Sequence, residues 1–269
     1  LHALDYAIEF ANHVKSNVIM VWVDSHINHD FTFSSEGNEF RDEANKNLDE
    51  IMKANKGKLK HGKLTFKLRK GKVYQEIATQ ARLTDASLII AGTHGVTGFE
   101  EFWIGSNAYR IVSYAPCPVI TVRHDFEIKP AGITSIILPV DSTQDTRQKV
   151  PITVQIAKAF GADIHLLTLY TTSIKVMQRK VDNSARQVQK FLEEAGVNYS
   201  TESMLADNIT NASIEYAGRV DADLIAIMTE QETTASNILL GPFAQQMVNY
   251  SPVPVLSIQP REIIAISTR

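Results

Sequence analysis

One stretch of this 269-residue chain is written twice. Asp85–Val122 lies over Asp221–Ile258 at a constant offset of 136, without a gap, and 13 of the 38 positions are identical. The identities include Asp85/Asp221, Thr93/Thr229, Gly105/Gly241, Tyr114/Tyr250, Pro116/Pro252 and Pro118/Pro254. Apolar character is kept at Ile104/Leu240, Ile111/Met247, Ile120/Leu256 and Val122/Ile258. An ungapped match of this kind marks two homologous modules, and so long a period is a duplicated domain rather than a solenoid. The joint falls at Asp125–Thr134, where Pro130 and Gly132 interrupt two apolar runs. Domains are therefore expected over residues 1–125 and 134–260.

Within each copy, apolar strand-like runs alternate with helical spacing. In the second copy the strands are read at Ser135–Val140, Ile164–Tyr170, Val197–Ala206, Leu224–Met228 and Val253–Ile258. Helices are read at Val150–Phe160, Lys175–Ala195, Ile209–Val220 and Asn237–Tyr250. Such alternation predicts βαβ units: an open, mostly parallel five-stranded sheet in an α/β/α sandwich of Rossmann-like type, twice in tandem. The first copy follows the same order but offers nothing to match Ser135–Asp141. Its opening strand is expected to be missing from this chain, through truncation or because another chain supplies it. That strand would be central, so a large hole is expected in its place.

Composition narrows the function classes. Hydrophobic residues are 44% and charged residues 21%, which is globular rather than disordered. The net charge of −3 gives no overall case for nucleic acid or an anionic membrane. The basic stretch Lys53–Lys72 lacks an aromatic ladder and is read as a solvated loop and strand. No apolar run approaches the ~20 residues of a membrane span, and no export signal is visible, so a cytoplasmic setting is expected. The single cysteine, Cys117, fits a reducing compartment and is read as a buried structural thiol.

Chemistry concentrates after Leu88-Ile89-Ile90-Ala91, where the chain breaks into Gly92-Thr93-His94-Gly95 and then reaches Gly105-Ser106-Asn107 at a helix start. The pattern is G-x2-G-x9-G-S. Glycines let a main chain turn and approach a ligand closely. A helix amino end with a hydroxyl beside it favours an anion, and strand end, loop and helix start form the usual crevice of an open α/β sheet. A glycine pair after a strand and a plain helix cap are the structural alternatives. No Walker-type loop is present.

With that loop, its nine-residue spacer and the Ala115–Val122 run, the sequence resembles the universal stress protein family in tandem form, over essentially the whole chain. In that family the motif marks ATP-binding members. The resemblance implies that Gly92, Thr93, His94, Gly95, Gly105, Ser106 and Asn107 surround phosphates and ribose, with Val23 near the base. It implies an adenine nucleotide as ligand, a stress-response regulator rather than a fast enzyme, modules packed as a pseudo-dimer through their last strands, and a further homodimer. A family aspartate at the end of the first strand would lie in the missing segment. In the second copy Asp141 stands there and Gly241 survives, but Met228, Gln231 and Pro242 replace Gly92, Gly95 and Ser106. That second site is expected to be dead for ATP, with Asp141 left to form a small polar pocket or cap its turn. The alternative for the whole chain is a signalling or scaffold protein that binds no nucleotide.

Other candidates are weaker. His26 and His29 are too few for a metal site, and no metal is expected. His94 is read as shaping the loop or contacting the ligand rather than as a catalyst. Glu100 and Glu101 fall in a solvent-facing segment, which Phe102 and Trp103 pack onto the domain.

Overall fold

The computed structural model describes residues 2–25, 35–93, 106–143, 145–229, 231–233 and 238–260, with backbone alone at 35–41, 106, 231–233 and 238–239. The first module runs α1 (His2–Val14), β1 (Val18–Asp24), α2 (Ser35–Ala54), β2 (Leu64–Lys70), α3 (Val73–Leu83), β3 (Ile89–Gly92), α4 (Ser106–Tyr114) and β4 (Val119–Val122). The second runs β5 (Ser135–Val140), α5 (Val150–Phe160), β6 (Asp163–Tyr170), α6 (Lys175–Ala195), β7 (Tyr199–Leu205), α7 (Ile209–Arg219) and β8 (Leu224–Met228). It continues through β9 (Gln231–Thr233), β10 (Ile238–Leu240), α8 (Pro242–Tyr250) and β11 (Val255–Ile258).

Local chemistry sets the boundaries. Gly161 and Gly196 end α5 and α6 at φ 70° and 65°, a left-handed geometry that glycine adopts without a Cβ clash. Asp85 and Asp221 are repeat partners, and both turn from helix to strand at positive φ, 48° and 50°. Aspartate tolerates that region better than most residues, which gives their identity a backbone reason. The helix expected over Asn237–Tyr250 is divided. Gly241 is extended at ψ 158° and Pro242 opens α8, because a residue before proline is pushed out of the helical region. Upstream of it, Ile238–Leu240 pairs antiparallel with Gln231–Thr233.

The second module forms a parallel five-stranded sheet in the order β11-β8-β5-β6-β7. Ile136, Ile137, Leu138, Ile164, Leu166, Leu224 and Ile225 are wholly buried. Both faces of these strands are covered by helices, so apolar residues run on without alternation. Each such side chain contributes roughly 1.5–3 kcal/mol through its burial.

In the first module β1 pairs with β2 and β3 with β4, both in parallel, and among the described residues no strand joins the two pairs. Backbone bonds repeat faithfully between modules: Ser16 N to Ala11 O matches Ala162 N to Ala157 O, and Thr93 N to Val122 O matches Thr229 N to Ile258 O. By these equivalences the space between β1 and β3 is the one β5 holds between β6 and β8. It is a cleft of about 860 Å³ lined by residues such as Ala7, Phe10, Met20, Leu88 and Ile90. Its consequence is visible in the strands, since β3 is half-buried over Ile89–Ala91 while its counterpart β8 is buried throughout.

The modules join through their last strands. β4 and β11 pair antiparallel, Thr121 opposite Val255, Ile120 opposite Leu256 and Val119 opposite Ser257. Because these residues are repeat partners, the pairing is its own image about an axis between Ile120 and Leu256, both wholly buried. The capping contacts obey the same symmetry. Arg123 Nη1 donates to Asn249 O at the end of α8, and Gln259 Nε2 donates to Val112 O and Ser113 O at the end of α4. A single seven-stranded sheet results, and this edge is consumed within the chain. Cys117, expected to be buried, is half-buried.

The linker is anchored by Asp223, a carboxylate only 2% exposed. Its Oδ2 accepts from Thr134 N, Thr134 Oγ1 and Ser135 N at 2.7, 2.8 and 3.1 Å, and Lys129 Nζ lies 2.7 Å from Oδ1. Removing the carboxylate strands three donors and an ammonium. Asp223→Ala is expected to lower the unfolding free energy by about 3 kcal/mol in urea titration. The same change at its exposed counterpart, Ser87, should stay within about 0.5 kcal/mol.

Candidate functional site

The candidate site is the carboxyl edge of the first module, where β3 ends and α4 begins. Gly92 closes β3 opposite Val122 and is exposed. Its φ is not in the left-handed region, so it is not the sharp turn expected from sequence. Its contribution is the absence of a side chain at the mouth of the cleft. Thr93 is 3% exposed, and its N–H donates to Val122 O at 3.0 Å, which fixes where the strand lets go of the sheet.

From Ser106 the chain is helical, and Asn107 is exposed in the first turn of α4. Gly92, Thr93 and Asn107 line one mouth of the cleft, so strand end and helix start are brought together. The first amides of a helix have no partner within it and carry its positive dipole end, an arrangement that attracts phosphate or carboxylate. The apolar body of the cleft has the position of a strand and is not itself a polar ligand pocket. His94, Gly95 and Gly105, like His26, His29, Glu100, Glu101, Phe102 and Trp103, lie outside the described residues, as does the side chain of Ser106. Val23 is half-buried in β1 opposite Arg69 and is not among the residues lining the cleft.

The second module has the same edge with different contents. Met228 is buried where Gly92 stands, and Thr229 is wholly buried with its Oγ1 donating to Ile258 O at 3.2 Å. The β9–β10 hairpin follows. Gly241 caps α8, but Pro242 removes one of the amides that an anion would use. Asp141 Oδ1 accepts from Thr143 N at 2.9 Å and Thr143 Oγ1 at 2.6 Å, so this carboxylate caps its own turn.

Beside it lies a residue that sequence reasoning missed. Lys149 is 3% exposed, and its Nζ donates to Thr146 Oγ1 at 3.2 Å. Burial pulls its ammonium down to about 8, against the opposing attraction of Asp141. The residue at this point of α1 is Ala3, and no pattern in the sequence distinguishes Lys149 from the many lysines that stay in water.

An open parallel sheet flanked by helices, built twice in tandem, defines the class as a Rossmann-like α/β fold. The sequence profile of the universal stress protein family matches residues 1–123 and again 132–259, and the chain belongs to that family, in tandem form. A universal stress protein of Methanocaldococcus jannaschii, MJ0531, is 26% identical over 138 residues, covering 46% of this chain and 81% of its own length. A putative universal stress protein of Staphylococcus saprophyticus is 32% identical over 95 residues, covering 35% of this chain and 55% of its own. Among solved structures, a universal stress protein from Archaeoglobus fulgidus matches with a TM-score of 0.75 at 16% identity, covering 96% of this chain and 93% of its own. A functionally unknown protein from Pseudomonas aeruginosa, PA1789, matches with a TM-score of 0.63 at 17% identity, covering 96% and 87%. At these identities the structural likeness speaks for the fold. Among the described residues no helix is long and apolar enough to cross a membrane.

The buried lysine yields a pH dependence of known sign. Its folded value lies near 8 and its ordinary value is 10.5, so between these the unfolded chain binds more protons. Its contribution to stability therefore rises with pH through that window. Lys149→Met should remove this slope and be more stable than wild type below pH 8, by up to roughly 3 kcal/mol. The difference in urea midpoints between the two proteins across that range measures it.

Proposed function

We propose that the first module binds an adenine nucleotide, ATP or a close relative, and that the chain is a cytoplasmic stress-response regulator rather than a fast enzyme. The observation that carries this is the meeting of a bare strand end, Gly92, with the amino end of α4 at Ser106 and Asn107, across a G-x2-G-x9-G-S spacing. Phosphates would take the amides of that helix start and of the glycine loop. The motif supplies donors to phosphate but no evident general base, so turnover, if present, is slow. A bound nucleotide would change the surface shown to partners.

The second module is the structural partner. Met228 and Pro242 stand where ligand atoms and a donor amide would be, and Asp141 and Lys149 are engaged with Thr143 and Thr146. One site per chain is expected.

Titration of the purified protein with ATP tests both statements. Saturation at one equivalent is expected. Transplanting the second module's residues into the first, as Gly95→Gln or Ser106→Pro, should weaken binding at least roughly tenfold, the scale of one to two lost phosphate hydrogen bonds. No binding at millimolar ATP sinks the reading, and unchanged affinity in both variants moves the site elsewhere.

A further inference from the structure

Helix α4, whose amino end forms the proposed phosphate seat, is not held by its own module alone. On one side Tyr74 of α3 packs against Tyr114, ring centroids 4.8 Å apart, and Arg110 lies over the Tyr74 ring at 5.4 Å. On the other side the second module reaches across the joint. The Leu240 N–H donates to Tyr109 Oη at 3.0 Å, a bond between residues 131 apart in sequence. Leu240 is 5% exposed and shares a buried cluster with Ile111, Val112, Ala244 and Met247. It is the last residue of β10 and directly precedes Gly241, the cap of α8. Tyr109 thus ties the first turn of α4 to the point where the hairpin passes into α8. Its repeat partner is Gln245, so the phenol that makes this tie belongs to the first module alone.

We propose that the β9–β10 hairpin reads the occupancy of the first module's site, with Tyr109 as the positioning residue that couples them. This rests on the nucleotide reading above. An anion on the first amides of α4 holds that turn in one conformation, and the Tyr109 hydroxyl then holds Leu240. By reciprocity, the hairpin that steadies Tyr109 also strengthens nucleotide binding.

Amide hydrogen exchange on the full chain with and without saturating ATP tests it, with Tyr109→Phe as the variant. In wild type, ATP should slow exchange of the Leu240 amide several-fold. In Tyr109→Phe, ATP should bind roughly three- to tenfold more weakly, the size of one neutral hydrogen bond, and leave that amide unmoved. Wild-type affinity in the variant, or a Leu240 amide indifferent to ATP in wild type, overturns the coupling. If wild type takes no ATP, the nucleotide reading fails first and the coupling is judged without ligand. Tyr109→Phe must then speed exchange in both Ala108–Ile111 and Leu240 while β6 is unchanged. Faster exchange at Leu240 alone marks a purely local bond and overturns the proposal.

Discussion

The antiparallel pairing of β4 with β11 is the contact on which the rest of the molecule depends. It is short, with three register pairs, yet it is symmetric about Ile120 and Leu256 and wholly buried. Alone, each module would present that strand as an open edge with unpaired N–H and C=O groups. Joined, the two edges satisfy one another, and Arg123 and Gln259 cap the last helix of the opposite module. The contact also sets direction. Every strand of the second sheet is parallel to β11, and β3 and β4 are parallel to one another, so the two carboxyl edges face opposite ends of the sheet. No single small ligand reaches both.

The two carboxyl edges also differ in their side chains. In the first, the edge is kept bare at Gly92 and polar at Asn107. In the second, Met228 covers the strand end, Thr229 bonds back to β11, and the Asp141–Thr143–Thr146–Lys149 group engages itself. A buried ammonium is tolerated there because a carboxylate and a hydroxyl stand beside it, at the expense of a lowered proton affinity.

Much of this was legible in the residues. The duplication, the alternation of strands and helices from β5 to β8 and the end of α6 at Gly196 all rest on local signals that survive packing. The division at Gly241-Pro242 was written in the chain as well, but the apolar spacing of Ile238–Leu240 outweighed it. A three-residue strand and the first turn of a buried helix look alike by periodicity. Gly92 shows the converse: its residue type pointed to a turn, while its value is the lack of a side chain on an extended strand. Lys149 and Tyr109 could not be read at all. One is a lysine whose burial depends on tertiary neighbours, the other a tyrosine whose partner is a main-chain amide from the other module.

The opposed edges also constrain how the modules can influence each other. Direct contact between two ligand sites is excluded by strand direction, so any influence passes through what crosses the joint. Among the described residues this includes the strand pair, the helix caps, the Tyr109–Leu240 bond and the packing of Phe10 and His13 of α1 on Phe160 of α5. The strand pair and caps are matched on both sides and hold the modules without favouring either. The Tyr109–Leu240 bond uses a side chain that the repeat position, Gln245, does not share. A bond that ties the first turn of α4 to the residue before the cap of α8 gives one module the means to respond to the other.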